Sequence, residues 1–280
     1  MSATASREDA IAAFLADAGW GAAEIAPLPG DASTRRYARL RLGGRSAMLM
    51  DQPQHAEAPV AAASASPEER RALGYNATAR LAGADTGRFV AASAFLRSAG
   101  LSAPEIYAAD TARGLLLIED LGDNLYTDVI AAGGDEQDLY ETAIDALVRL
   151  HDKPAPGALG SGLPLFAYDE TALLAETDLL TEWFLPAALG RPLDPAEAEE
   201  HRTLWRKVLH QSRNGASVFI HRDYHAQNLL WRPAQKGLAR VGIIDFQDAV
   251  AGTTAYDLIS LLEDARRDVD RKSTCLNSSH

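Results

Sequence analysis
The chain has 280 residues, 47 % of them hydrophobic and 24 % charged, with a net charge of −12, and that length can bury a sizeable core in two lobes. No apolar run reaches the roughly 20 residues of a membrane-spanning helix, and Met1 to Asp9 lacks the basic-then-apolar pattern of an export signal, so a cytoplasmic protein is expected. The acidity argues against sequence-independent nucleic-acid binding, which needs clustered Lys and Arg, and the single Cys275 excludes an internal disulfide or a cysteine-rich metal site.

Ser6 and Asp9 form a capping-box pattern, after which Ile11, Phe14, Leu15 and Ala18 fall on one helical face until Gly19 ends the run. Strands are expected near Ile25 to Leu28, Tyr37 to Leu42 and Ser46 to Met50, the last two joined by a tight Gly43-Gly44 turn. The loop from Gly30 to Arg36 is short and small, so its backbone N–H groups can approach phosphate oxygens closely. Its Asp31, Ser33, Thr34, Arg35 and Arg36 are the candidate nucleotide contacts, with hydroxyl and guanidinium donors among them. Strand alternation sends Arg35 and Arg36 to opposite sides and leaves open which one faces inward.

Gln52 to Gly87 is Ala-rich with scattered Pro, Glu and Arg, and reads as an insertion, helical in part from Pro67 to Leu81. It is either a mobile flap or, on the plainer reading, a solvated appendage, and its Asn76-Ala77-Thr78 sequon is accidental in a cytoplasmic protein. A helix from Phe89 to Ser98 and strands from Pro104 to Ala108 and Leu115 to Ile118 follow. Glu119-Asp120-Leu121-Gly122 is then the connection between lobes. Backbone groups from Glu119 to Leu121 are the candidate adenine contacts, with the Glu119 and Asp120 carboxylates facing water.

Beyond this connection the pattern turns helical. Gln137 to His151 places Leu139, Ile144, Leu147, Val148 and His151 along one stripe, and Tyr168 to Leu189 and Pro195 to Ser212 continue the series. Trp183 and Phe184 are expected in the core, the alternative being a stacking surface for a sugar.

The most informative stretch is His221-Arg222-Asp223-Tyr224-His225-Ala226-Gln227-Asn228, followed by Val241-Gly242-Ile243-Ile244-Asp245-Phe246. Short apolar strands, Ser217 to Ile220, Asn228 to Trp231 and Val241 to Phe246, would place the polar groups at strand ends. The spacing His-x-Asp-x4-Asn, then Asp after the next strand, is that of a phosphotransferase catalytic loop. ATP brings several negative charges that Mg²⁺ must neutralise, and Asn228 and Asp245 are hard oxygen donors suited to that ion. Asp223 remains to position the attacking hydroxyl and take its proton. His221 reads as a brace for the loop backbone.

On these residues the chain resembles the aminoglycoside phosphotransferase superfamily, the small-molecule relatives of protein kinases. Gly30 to Tyr37, Val218 to Trp231 and Ala255 to Val269 are similar to the branch of N-acetylmuramate/N-acetylglucosamine anomeric kinases. The resemblance implies an α+β, protein-kinase-like two-lobe fold, ATP and Mg²⁺ as cofactors, and phosphorylation of a sugar C1 hydroxyl. The expected lobes are residues 1–120 and 121–270. Aminoglycoside, choline and homoserine remain open as acceptors, and an inactive nucleotide-binding module remains open as another class. Asp257, after Tyr256, resembles the buried kinase aspartate that receives backbone hydrogen bonds from the catalytic loop, and is otherwise a plain helix-start carboxylate.

Two departures stand out. The third strand, Ala47-Met48-Leu49-Met50-Asp51, lacks the lysine that grips the α- and β-phosphates, and the Phe89 to Ser98 helix lacks the glutamate that would pair with it. Losing both is electrostatically coherent, since a lone buried charge is costly, and Arg35 or Arg36 is the candidate replacement. After Asp270 the composition changes to Arg-Lys-Ser-Thr-Cys-Leu-Asn-Ser-Ser-His without helical period, so residues 271–280 read as a non-native tail on a truncated large lobe, whose apolar faces would lose cover.

Overall fold
The computed structural model describes residues 6–30, 34–53, 61–62, 64–80, 85–212, 217–264 and 266–267. Helix α1 (Arg7–Asp17) begins on the Ser6/Asp9 capping box. It packs Phe14 and Leu15 with Trp20 against Leu40, Ala47, Leu49, Leu115 and Leu117 on the outer face of a sheet. That sheet joins β1 (Glu24–Pro27), β2 (Arg36–Leu42), β3 (Arg45–Asp51), β4 (Ile106–Asp110) and β5 (Leu115–Ile118) in the antiparallel order β1-β2-β3-β5-β4.

Because strand side chains alternate, Met48, Met50, Leu116 and Ile118 point to the opposite face. There they meet Phe89, Ala92 and Leu96 of α3 (Thr86–Ser98), which the Asp85 side chain caps. The same apolar cluster runs on without a break into Leu139, Tyr140, Ala143 and Leu147 of α5 (Glu136–His151), and into Phe219, Leu229, Ile243 and Phe246. Each such aliphatic or aromatic side chain contributes about 1.5–3 kcal/mol by burial. The small lobe is therefore welded to the large one through α3. On α5 the buried stripe is Leu139, Ala143, Ala146, Leu147 and Leu150, whereas Val148, expected inside, is 66 % exposed.

The segment preceding α3 is not a solvated appendage. Helix α2 (Pro67–Leu73), with its own Ser66/Glu69 capping box, ends at Gly74, whose φ of 98° no β-carbon tolerates well, and a single π turn (Asn76–Arg80) follows. Arg70 is buried, pairs with Asp169 and donates to the Thr78 carbonyl at 2.6 Å. Ala77 and Ala79 are buried. The expectation of a solvated segment fails because a charge pair 99 residues apart in sequence anchors the segment to the start of α6 (Glu170–Leu179).

The large lobe also contains α4 (Tyr126–Ala131), α7 (Leu185–Leu189), α8 (Pro195–Ser212) and α9 (Ala255–Leu262). Its short strands are β6 (Ser217–Ile220), β7 (Leu229–Trp231), β8 (Val241–Ile243) and β9 (Val250–Thr253), paired β6 with β9 and β7 with β8. The expected long helix from Tyr168 to Leu189 starts only at Glu170, on an Asp169 cap, and passes through a π turn at Leu180–Phe184. Trp183 and Phe184, expected in the core, are 72 % and 63 % exposed. The π turn rotates them off the buried side of α6, which carries Ala172 and Leu174. The arrangement is a two-lobe α+β kinase-like fold.

Candidate active site
The loop that carries Asp223 is built on Asp257. This fully buried carboxylate accepts from the backbone N–H of His221 at 2.7 Å and of Arg222 at 2.9 Å, so it braces the loop rather than merely starting α9. His221 ties the loop to the backbone just after β8 through Nε2 and the Ile244 carbonyl, 2.8 Å apart. Tyr224, also fully buried, donates its hydroxyl to the Ala143 carbonyl of α5 at 2.9 Å. Three anchors thus fix the backbone on both sides of Asp223.

Asn228 and Asp245 are not strand residues. Asn228 closes a 3-10 turn (Ala226–Asn228) before β7, and β8 stops at Ile243 because Asp245 adopts φ 62°, a left-handed conformation that breaks strand pairing. The consequence is a convergence. The Asn228 Nδ2 lies 3.0 Å from the Asp223 carbonyl oxygen and 3.5 Å from Asp245 Oδ2, so one amide joins the residues at 223 and 245. Asp245 also accepts from Gln247 Nε2 at 2.8 Å.

The unresolved choice between the two arginines is settled by register. Tyr37 and Arg39 face the cleft and pair across from Met50 and Met48, and Arg35 continues that alternation inward while Arg36 is exposed. Arg35 Nη1 stands 3.1 Å from Asp245 Oδ1, with its side chain only 12 % exposed. Burial alone pushes the Asp245 carboxyl upward, but the Arg35 charge and the Gln247 hydrogen bond outweigh it and hold the group below its ordinary value. Thr34 is partly buried beside Arg35, whereas Asp31 and Ser33 lie outside the described residues.

A cleft of about 320 Å³ opens between the lobes, lined by Leu28, Tyr37, Met48, Ile118, Leu230 and Ile244 as apolar walls. Glu119 to Asp123 border it on one side, and Asn228 and Asp245 on another. Leu121 is among these bordering residues. The Glu119 carboxylate does not face water as expected. It accepts from Arg232 Nη2 at 2.8 Å and so ties the interlobe connection to the residue just after β7. Asp120 likewise accepts from Arg39 Nη2 at 3.1 Å, and Arg39 reaches Asp123 at 2.6 Å, clamping β2 onto the same connection. A second cleft of about 450 Å³, beside Tyr75, Leu174, Asp178 and Arg202, contains neither Asn228 nor Asp245.

The donor set suits Mg²⁺. One carboxylate and one amide oxygen leave room for phosphate oxygens and water, the manner in which this ion is usually held, and a positive charge, Arg35, already sits on the carboxylate. Among the described residues no three His, Cys, Asp or Glu side chains converge on a point, so an all-protein cage is not what this site offers.

Residues 24–273 match the model of the phosphotransferase enzyme family. The chain belongs to that family. It is 47 % identical over 282 residues to an N-acetylmuramate/N-acetylglucosamine kinase of Caulobacter vibrioides, covering 99 % of this chain and 77 % of that protein. It is 32 % identical to an enzyme of the same name from Pseudomonas aeruginosa, covering 90 % of this chain and 64 % of the relative. The chain therefore spans about two thirds to three quarters of the length of these curated relatives. By fold it resembles a Plasmodium vivax ethanolamine kinase (TM-score 0.57, 12 % identity, covering 94 % of this chain and 68 % of the other). It also resembles a gentamicin-bound APH(2'')-IIa structure (TM-score 0.55, 16 % identity, covering 94 % and 76 %). Among the described residues no helix of this phosphotransferase is long and apolar enough to cross a membrane.

Proposed function
We propose that this phosphotransferase moves the γ-phosphoryl group of ATP to the C1 hydroxyl of an N-acetylated amino sugar, N-acetylmuramate or N-acetylglucosamine. The observation that carries the reading is the Asn228 amide, which borders the interlobe cleft with Asp245 and lies 3.0 Å from the backbone carbonyl of Asp223 and 3.5 Å from the Asp245 carboxylate. The sugar specificity is supported by the two relatives named above.

Asp223 accepts a hydrogen bond from the sugar hydroxyl and so aligns its oxygen with the γ-phosphorus. As the new O–P bond forms, the bond from the γ-phosphorus to its bridging oxygen breaks, ADP leaves with that electron pair, and the hydroxyl proton passes to Asp223. Asn228 and Asp245 would hold Mg²⁺, whose chemistry is to neutralise charge on the phosphate oxygens. Arg35 stands in for the missing lysine by moving from the Asp245 carboxylate to a phosphate oxygen when nucleotide arrives, while Glu119 to Leu121 present their backbone to adenine. Trading a carboxylate for a phosphate keeps the guanidinium paired throughout.

The test is ATP consumption against N-acetylmuramate, N-acetylglucosamine, kanamycin and choline, with the new phosphate located by ³¹P NMR. A C1 phosphate on either amino sugar is the expected product. Turnover confined to kanamycin or choline would overturn the sugar assignment, and Mg-nucleotide binding without any product would favour a binding module.

A further inference from the structure
Gln247, two residues after Asp245, is 8 % exposed, and its Nε2 donates to Asp245 Oδ1 at 2.8 Å. The other end of the same amide, Oε1, is buried and accepts no hydrogen bond. Buried amide oxygens nearly always find a donor, and one that does not calls for an explanation. Here the explanation is Asp245. An ionised carboxylate only accepts, so it fixes which way the Gln247 amide points, and Oε1 goes unsatisfied as the consequence. The backbone bears a second cost at the same place, since Asp245 is held at φ 62°, a conformation that non-glycine residues seldom adopt. Both costs serve one end, the direction in which the Asp245 carboxylate faces.

The support behind this amide belongs to the core. Phe246 is fully buried with its ring 4.7 Å from that of Phe89 on α3, and the Ala249 N–H closes a turn onto the Phe246 carbonyl at 3.1 Å. Gln247 therefore reaches Asp245 from a fixed backbone. The second donor on Oδ1 is Arg35 Nη1 at 3.1 Å, the group assigned above to move to phosphate. Asp245 Oδ2 has a longer protein contact, the Asn228 amide at 3.5 Å. The two oxygens are thus presented unequally, Oδ1 to two donors and Oδ2 toward Asn228, the other candidate metal ligand.

We propose that Gln247 is a positioning residue that makes Asp245 grip its cation through one oxygen, and thereby selects Mg²⁺ over Ca²⁺. This inference rests on the Mg²⁺-nucleotide reading above and adds the residue that sets the identity of the ion. Mg²⁺ is small and demands near-ideal octahedral geometry, which the two closely spaced oxygens of one carboxylate do not satisfy together, whereas Ca²⁺ readily takes a carboxylate through both. A carboxylate with one oxygen occupied by an amide suits the first ion and hinders the second. Arg35 cannot supply this selection once it has turned to phosphate, so the amide has to.

The experiment titrates ADP calorimetrically at saturating Mg²⁺, at saturating Ca²⁺ and without either ion, against the wild-type chain, Gln247→Met and Gln247→Asn. The wild type should bind ADP more tightly with Mg²⁺ than with Ca²⁺. Gln247→Met keeps the length of the side chain without its amide. It should weaken ADP binding with Mg²⁺ about tenfold or more and binding with Ca²⁺ much less, so the preference narrows. Gln247→Asn withdraws the amide by one carbon, should move the preference the same way, and decides the matter if the first variant does not fold. Parallel losses with both ions, the mark of a merely structural role, or no change with either, would overturn the inference while the reading of function stands. A wild type indifferent to the choice of ion overturns it without any variant. If neither ion strengthens ADP binding to the wild type, the metal site falls, and the reading of function falls with it.

Discussion

Replacing Arg35 by alanine separates its two assigned tasks, because the substitution should move two affinities in opposite directions. Arg35 lies 3.1 Å from Asp245 Oδ1. A unit pair at such a distance attracts by about 5 kcal/mol at an effective dielectric constant near 20. The Asp245 side chain is 37 % exposed, however, so screening reduces the net value to about 1 kcal/mol. Arg35→Ala should therefore leave the carboxylate easier to reach for a cation, and Mg²⁺ alone should bind several-fold more tightly. Nucleotide binding should go the other way. A charge-assisted hydrogen bond to phosphate is worth about 1.5–3 kcal/mol, so Mg·ADP should bind roughly 10- to 150-fold more weakly. Isothermal titration of Mg²⁺ and of Mg·ADP against both proteins reads the two numbers separately. Unchanged nucleotide affinity would refute the lysine-replacement role. Parallel losses of both affinities would show that Arg35 merely holds the site together.

Asp257→Asn preserves shape but can accept only one of the two backbone hydrogen bonds from His221 and Arg222. It should cost about 2–4 kcal/mol in urea unfolding and lower kcat, whereas an unmoved midpoint would mean the brace is dispensable. Tyr224→Phe deletes the bond to Ala143 on a fully buried ring and should cost about 1 kcal/mol by the same measurement. Arg70→Ala removes both the Asp169 pair and the bond to Thr78. Amide exchange in residues 64–80 should then accelerate roughly tenfold or more while exchange in α5 stays slow, and uniform acceleration would mean the segment is part of the global core.

What could be read in the sequence was local. The Ser6/Asp9 box and the Gly43-Gly44 turn between β2 and β3 each depend on neighbours in the chain, and each is found where expected. What could not be read depended on partners far along it. Arg35 reaches a carboxylate 210 positions later, and only the β2–β3 register decides that it, rather than Arg36, turns inward. Nothing nearby in the sequence announces Arg232 or Arg39, the partners of Glu119 and Asp120. The strand β9, Val250–Thr253, escaped because four residues containing a glycine carry no alternating signal, and it exists by pairing with β6. Trp183 and Phe184 misled for a further reason. Helical periodicity assigns faces correctly only if the helix is regular, and the π turn at Leu180–Phe184 shifts the phase of everything in it.

The division of labour among Asp223, Asn228 and Asp245 is tested most directly by two single substitutions read in two assays, Mg·ADP titration and amino-sugar turnover. Asp223→Asn should bind Mg·ADP nearly as the parent does while kcat falls by orders of magnitude, because the hydroxyl loses its positioning group and proton acceptor. Asp245→Asn should lose Mg²⁺-dependent nucleotide binding itself. Full turnover by both variants would contradict the account.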